Sequence, residues 1–236
     1  MFFKKKVSSV VKGNAVYMWN INPNEHKPVP MKNIFKNQEF FHYRIVNRSI
    51  LENAVHEYAD KKLLNLWAKI PWWIVKADLG RLIYVYLNGG FYFDVDCLVK
   101  KNFYHEVGES MVLFIEKRLS STEKLGPREQ KTEDRKLRIA NYAFGTNQKK
   151  HQFIRQCIDE CVLRLEIIFK EKLKEISEID VVWLCGPDVV TSVYHDNKKN
   201  FNDIILLDKD YIKHQSFSGW RKSSSPSYIG YASFKS

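Results

Sequence analysis

Two aspartates separated by one residue, Asp94 and Asp96, are the residues of this sequence best suited to chemistry. They follow an aromatic run, and a strand over 91–96 would send both carboxylates to the same face. Two acids about 6 to 7 Å apart on a strand repel each other unless a cation lies between them. Mg²⁺ or Mn²⁺ would suit these oxygen ligands, and such ions complete their coordination with water and substrate phosphates. The pair therefore predicts half of a divalent-cation site.

A second charged pair precedes the aspartates. Asp78 and Arg81 lie three residues apart in the segment 72–87, whose apolar residues recur at helical spacing. The spacing puts both side chains on one face of a helix, where a surface ion pair is the alternative interpretation. Gly89-Gly90 can end that helix and turn the chain into the aspartate strand. Helix and strand together would bring the two pairs to one place.

The stretch from Lys76 to Asp96 resembles the sugar-binding region of DXD-containing glycosyltransferases, a family that includes capsular-polysaccharide transferases, yeast initiating mannosyltransferases and glucosylating toxin domains. Asp78, Arg81, the Gly-Gly pair and the aromatic strand into DxD carry the resemblance. It implies an α/β GT-A fold, Rossmann-like, with a mostly parallel sheet flanked by helices in one domain over 1–236. The implied reaction moves a sugar from a nucleoside-diphosphate donor, with UDP expected, to a glycan hydroxyl in polysaccharide biosynthesis, with retention.

The resemblance also implies how the metal is bound. Asp96 would bind Mn²⁺ or Mg²⁺ directly, while Asp94 would contact the ribose or the water shell of the metal. The C-terminal segment 214–221 resembles the part of the family that completes the metal site. His214 is accordingly the expected third ligand.

Five residues are expected to bind the donor besides Asp94. Asp78 and Arg81 would hold the hydroxyls of the sugar, and Trp19, the last residue of the apolar run 15–19, would stack on the base; the alternative for Trp19 is a place in the core. In the C-terminal segment, Ser218 and Trp220 would reach the diphosphate.

Catalysis would rest mainly on the cation and on basic groups, which stabilise the negative charge of the departing diphosphate. Under retention the leaving phosphate can accept the proton of the acceptor, and no enzymatic base is needed. Under inversion a general base must face the acceptor, and Asp188 in the turn 185–188 is the candidate. The alternative for Asp188 is a helix N-cap.

Two other functions fit parts of the sequence. An apolar strand followed by DxD also occurs in phosphatases, but Leu98 stands where those enzymes have Thr or Val, and the motif lies mid-chain. A nucleic-acid-binding protein would explain the formal charge of +11 and the charged run 117–138. No recognition motif accompanies that charge, so no nucleic-acid partner is expected.

Strands and helices are predicted to alternate, which is typical of an α/β sheet. The predicted strands are 15–19, 42–47, 91–96, 111–115, 142–145, 181–184 and 204–207. The predicted helices are 72–87, 150–174, one that follows Ser49 as N-cap and runs to Leu66, and one that begins near Asp188. Between them, 117–138 is predicted to be a mobile charged loop that acts as an acceptor-side lid, and 223–236 a flexible tail.

The bulk composition agrees with one folded domain, since 44% of the 236 residues are hydrophobic. The four cysteines form no CxxC pair, and buried, reduced thiols are predicted. No secretory signal or membrane span is apparent in the sequence. These features predict a cytoplasmic protein with at most peripheral membrane contact.

Overall fold

The computed structural model describes residues 12–120, 136–171 and 178–215. The strands in these ranges are β1 (Gly13–Met18), β2 (Phe41–Val46), β3 (Gly90–Phe93), β4 (Cys97–Val99), β5 (Met111–Arg118), β6 (Leu137–Thr146), β7 (Ile204–Leu207) and β8 (Ile212–His214). The helices are α1 (Met31–Asn37), α2 (Arg48–Tyr58), α3 (Lys61–Lys69), α4 (Trp73–Asn88), α5 (Tyr104–Val107), α6 (Gln152–Lys170), α7 (Glu178–Leu184) and α8 (Pro187–Asn197), with a 3₁₀ turn at Lys198–Asn200.

Six strands form a central sheet in the order β2-β1-β3-β6-β5-β7. Strand β6 runs antiparallel to its neighbours β3 and β5, whereas the other pairs in this sheet are parallel. The carboxyl ends of β1, β3 and β5 therefore lie at one edge, where α/β sheets bind ligands. The predicted α/β fold with a mostly parallel sheet flanked by helices is confirmed.

Each face of the sheet has its own hydrophobic core. Buried residues of α2, α4, α6 and α8 form one core with Tyr92 of β3. Phe91 and Phe93 point into the other, which is rich in aromatic rings, such as the T-shaped pair of Phe41 and Phe93 at 5.4 Å. The predicted alternation of side chains along β3 is thus correct up to Phe93, and packing on both faces fixes that strand.

Glycines allow the sharp connection between α4 and β3. Gly89 has φ +69°, caps the helix by donating its N–H to the carbonyl of Val85 at 2.7 Å, and is followed by Gly90 at φ +95°. Other residue types adopt these angles rarely. The chain therefore reverses from the end of α4 into β3, as the Gly-Gly pair predicted.

Three predicted elements differ from the structure. The aspartate strand ends at Phe93, and Asp94 begins a turn. The helix expected to follow Ser49 starts after Asn47, whose side chain accepts from the N–H of Ile50, and it is divided because Asp60 caps a second helix. Residues 181–184, predicted as a strand from their valines, lie in α7, which shows that tertiary packing overrides β-propensity there.

The charged segment 117–138 is shorter as a loop than predicted. Lys117 pairs with Arg138 and Arg118 with Leu137, so β5 and β6 extend into it as a ladder in which Lys117 and Arg118 are exposed. The charged residues of this segment led to the prediction of a loop, because the ends of the two strands extend past the apolar core. Residues 121–135, and with them the expected lid, are outside the described residues.

Some elements of the structure were not predicted, and some predictions fall on residues that the structure does not describe. Helix α1 and the two-stranded ribbon of β4 and β8 were not predicted. The expected tail 223–236 lies outside the described ranges, and one domain over 1–236 stays a prediction. Among the helices in the described ranges, none combines the length and apolar character that crossing a membrane requires.

Candidate active site

The DXD turn, defined here as residues 94–96, joins β3 to β4 at the carboxyl edge of the sheet. The N–H of Cys97 donates to the carbonyl of Asp94 at 2.9 Å and closes the turn. The N–H of Asp94 donates to the carbonyl of Tyr142 at 2.8 Å, which ties the turn to β6. Because the two acids come from a turn and not from a regular strand, each has different partners.

Asp94 is oriented by two residues of the α4–β3 unit. Its Oδ1 lies 3.2 Å from Nη1 of Arg81 and accepts a hydrogen bond from the hydroxyl of Tyr92 at 2.5 Å. Burial raises the pKa of Asp94, although the charge of Arg81 opposes that shift. Its side chain nevertheless keeps 31% of its surface exposed. Asp94 is therefore held in one orientation with a face left for a ligand.

Arg81 connects α4, β3 and β6. Nη2 lies 2.5 Å from Oδ1 of Asp78, and Nη1 also donates to the carbonyl of Asn141 at 3.0 Å. The guanidinium lies over the ring of Tyr92, 4.5 Å from its centroid. Both Asp78 and Arg81 are 5% exposed, so the predicted helical pair exists and the alternative of a surface ion pair is wrong. Burial raises the pKa of Asp78 to about 7, because desolvation outweighs the attraction of Arg81.

Asp96 meets His214, which comes from a distant part of the chain. Nε2 of His214 lies 3.2 Å from Oδ1 of Asp96, and its ring stacks on Tyr142 with centroids 4.0 Å apart. Burial alone would lower the pKa of His214, but its hydrogen bond to Asp96 and the charge of that residue raise it overall. The structure thus brings together the acid and the imidazole that were expected to hold the cation.

The ribbon of β4 and β8 explains this meeting. Cys97 lies directly opposite His214 in the antiparallel ladder, and the N–H of Gln215 donates to the carbonyl of Asp96 at 3.1 Å. Residue patterns do not reveal this pairing, because each strand has only three residues and Cys97 and His214 are 117 positions apart.

Two asparagines of α1 hold the DXD turn and the start of β4 by hydrogen bonds, and neither was predicted from the sequence. Asn33 donates to the carbonyl of Val95 at 3.3 Å, and Asn37 donates to the carbonyl of Cys97 at 3.1 Å. The amide oxygen of Asn37 also accepts from the N–H of Val99 at 2.8 Å. Their spacing of four residues in a short helix was a signal that both amides lie on one face.

Trp19 directly follows β1, at the same sheet edge as the DXD turn. Its N–H donates to the carbonyl of Val46 at 3.1 Å, and its indole Nε1 donates to the carbonyl of Lys27 at 2.9 Å. The side chain is only partly buried. Its ring is fixed at one edge and is not packed away in the core.

Asp188 is buried at the start of α8 and is 1% exposed. Gly186 is the N-cap, so the alternative role of Asp188 as the cap is wrong. Its Oδ1 lies 3.2 Å from Nη2 of Arg138, and Nε of that arginine lies 3.3 Å from Glu116 at the end of β5. Arg138 therefore connects the buried Asp188 to Glu116, whose side chain is 35% exposed.

A comparison with known protein families identifies the family to which the residues of this site are similar. Residues 10–119 match the family described as "Glycosyltransferase sugar-binding region containing DXD motif", and the match includes both charged pairs and the DXD turn. These residues belong to that glycosyltransferase family. The chain accordingly contains a glycosyltransferase sugar-binding region with a DXD motif, and its sheet agrees with the GT-A fold that the resemblance implied.

The chain is also similar to solved structures of toxin domains. "PaToxG Glycosyltransferase" is 14% identical, with a TM-score of 0.45, and the alignment covers 81% of this chain and 72% of that one. The UDP-bound glycosyltransferase domain from the YGT toxin is 11% identical, with a TM-score of 0.47 and coverage of 76% and 55%. This chain thus spans about half of the YGT domain. No curated protein matches the sequence.

Two candidate residues and the cysteines remain to be described. Ser218 and Trp220 lie outside the described residues, so their contact with a diphosphate stays a prediction. The four cysteines are buried and free, as expected.

Proposed function

We propose that this glycosyltransferase transfers a sugar from a nucleoside-diphosphate donor, with UDP as the nucleotide, to a hydroxyl of a glycan, and that it uses Mn²⁺ or Mg²⁺. The observation that carries the proposal is the contact of 3.2 Å between Asp96 and His214. Asp96 lies in the DXD turn, which is hydrogen-bonded to β6 and α1 at the ligand-binding edge of the sheet.

The donor set suits a divalent cation. Asp96 supplies a carboxylate and His214 an imidazole, and Asp94 is close enough for its charge to raise the pKa of that imidazole. Such a group of one or two acids leaves coordination positions for water and phosphate oxygens, as Mg²⁺ and Mn²⁺ require. When bound, the cation would supply a Lewis acid that stabilises the charge of the departing diphosphate.

The surrounding residues would position the donor. Arg81 and Tyr92 hold Asp94 in one rotamer, which suits a contact with the ribose or with the water shell of the cation. Asp78 lies beside Arg81 and would accept hydrogen bonds from sugar hydroxyls, while Arg81 would donate to the hydroxyl oxygens. A fixed donor removes much of the entropy cost of the transfer step.

We further propose retention, in which the leaving phosphate accepts the proton of the acceptor hydroxyl. The bond from the anomeric carbon to the phosphate oxygen breaks, its electron pair stays on the diphosphate, and the acceptor oxygen forms the new bond. This course needs no enzymatic base, and it agrees with the burial of Asp188, the base candidate for inversion.

The proposal is tested by screening nucleotide-sugars for hydrolysis with Mn²⁺, with Mg²⁺ and with a chelator, using the full chain. We expect one nucleotide-sugar to be hydrolysed only when a cation is present. Phosphomonoesters serve as the comparison. Hydrolysis of a phosphomonoester without hydrolysis of any nucleotide-sugar would overturn the proposal in favour of the phosphatase alternative.

Replacing Trp19 with alanine should weaken UDP binding in the presence of Mn²⁺ by about tenfold, because aromatic stacking on a base is worth about 1–3 kcal/mol. Trp19→Phe keeps an aromatic face and should lose less. The measurement is isothermal titration calorimetry. Phe35, which is 55% exposed, provides the control Phe35→Ala. Equal affinity of the Trp19→Ala variant and the wild type would show that Trp19 does not bind the base.

Replacing Asp188 with asparagine tests the base assignment. A general base contributes about 10²- to 10⁴-fold to the rate, whereas a residue that acts only through Arg138 contributes less. We expect kcat for nucleotide-sugar hydrolysis to fall by less than about tenfold and the melting temperature to fall, since a buried ion pair loses its charge. A loss of kcat beyond about hundredfold, at unchanged melting temperature, would assign Asp188 to proton transfer.

A further inference from the structure

Cys97 places a thiol beside the two residues proposed to hold the cation. The ligand atoms of Asp96, Cys97 and His214 lie within 4.8 Å of one another. The arrangement follows from the ladder, because Cys97 is directly opposite His214 and both side chains stand on the same face of the ribbon. The thiol is thus held next to the imidazole by backbone hydrogen bonds.

The distances suit a small tetrahedral ion. With Zn–S of about 2.3 Å and Zn–N or Zn–O of about 2.0–2.2 Å, two ligand atoms of one zinc ion lie about 3.3–3.7 Å apart. Atoms within 4.8 Å of one another therefore need to approach by at most about 1 to 1.5 Å. His214 comes from a ribbon of three-residue strands, and its side chain is 25% exposed, which leaves room for that movement.

The chemistry of the three ligands differs from that of an all-oxygen site. Thiolate and imidazole prefer Zn²⁺ and Co²⁺ over Mg²⁺, and the affinity of nitrogen and sulfur sites rises from Mn²⁺ through Co²⁺. Cys97 is fully buried, and its thiol donates to the carbonyl of Tyr142 at 3.6 Å. The thiol therefore has a weak partner that a metal–sulfur bond can replace.

We propose that Asp96, Cys97 and His214 form a binding site for a thiophilic divalent cation, Zn²⁺ or Co²⁺, with the Cys97 thiolate as a ligand. Binding forms the metal–sulfur bond and releases the thiol proton to solvent. The site overlaps the proposed Mn²⁺ or Mg²⁺ site and so rests on the proposed function for its location. Zn²⁺ should consequently displace Mn²⁺ and inhibit the transferase.

The test is a titration of the full chain with Co²⁺ followed by absorption spectroscopy. A cobalt–thiolate bond gives a sulfur-to-cobalt charge-transfer band in the near ultraviolet, and we expect this band in the wild type. It should disappear in Cys97→Ser and persist in Cys157→Ser, a matched control since Cys157 is equally buried. In competition with a chromophoric chelator, Zn²⁺ affinity should fall by more than about tenfold in Cys97→Ser and in His214→Ala.

X-ray absorption of the zinc-loaded wild type gives the same answer without a variant at the site. A sulfur neighbour at about 2.3 Å is expected, and it must persist in Cys157→Ser. Absence of sulfur in the wild type, or a charge-transfer band that survives in Cys97→Ser, overturns the proposal. If the band is absent while Mn²⁺-dependent hydrolysis persists, only this inference fails. If the band is present but no nucleotide-sugar is hydrolysed with any cation, the proposed function fails and the thiol site stands.

Discussion

Replacing Asp96 with alanine is expected to lower kcat for Mn²⁺-dependent nucleotide-sugar hydrolysis by at least about hundredfold. A metal ion that acts as a Lewis acid supplies several kcal/mol of charge stabilisation, and each 1.36 kcal/mol corresponds to about tenfold in rate. Asp96 is the carboxylate that contacts His214, so its loss leaves the imidazole without its acidic partner at the cation site. The measurement is steady-state hydrolysis together with Mn²⁺ affinity.

The control for Asp96→Ala is a variant that removes an exposed carboxylate far from the DXD turn in the sequence. Asp159 on α6 has 56% of its side chain exposed and pairs with Arg155, so Asp159→Ala is the control and should leave kcat unchanged. Thermal denaturation separates a catalytic from a folding defect. Wild-type kcat in a folded Asp96→Ala variant would remove Asp96 from the mechanism.

Replacing Arg81 with methionine is expected to lower both stability and activity. The variant leaves the carboxyl of Asp78, which is 5% exposed, without its ion pair, and loss of one partner of a buried pair costs about 3–5 kcal/mol. For a chain of this size that corresponds to a fall in melting temperature of about 6–20 °C. The same change frees Asp94 from the contact that orients it, so hydrolysis should fall as well.

A double-mutant cycle identifies the cause. Asp78→Asn together with Arg81→Met should be less destabilised than the sum of the single variants, because in the double variant neither member of the buried Asp78–Arg81 pair is left as an unpaired charge. The exposed pair of Arg155 and Asp159 is the matched control, and Arg155→Met should cost less than about 1 kcal/mol. Additive losses in the buried pair would show that the ion pair does not link the two residues.

The parts of the site that residue spacing alone predicted are local, whereas His214 was expected only from the family resemblance. Asp78 and Arg81 are three residues apart on one helix, and Gly89 ends that helix in the left-handed conformation, so short-range rules suffice for both. The aromatic run before Asp94 similarly predicts a buried strand, since its side chains alternate between two cores. The approach of α4 to the DXD turn follows from these local features.

The parts that the sequence did not predict depend on contacts between distant segments. The prediction continued the strand to Asp96, but the turn is held by Asn33 and Asn37 of a helix that has only seven residues, too few for its apolar spacing to stand out in the sequence. The thiol of Cys97 comes beside His214 only through the register of β4 and β8. Such a register is set by the whole fold, and a sequence pattern cannot specify it for strands of three residues.

Calorimetric titration of UDP into the wild type and into Asp96→Ala, with Mn²⁺ and with a chelator, tests the central claim most directly. A cation held by Asp96 and His214 against the diphosphate predicts binding to the wild type in Mn²⁺, and a loss of that binding both in chelator and in the variant. Binding of UDP that is equally tight without a cation, or unchanged in a folded Asp96→Ala variant, would contradict it.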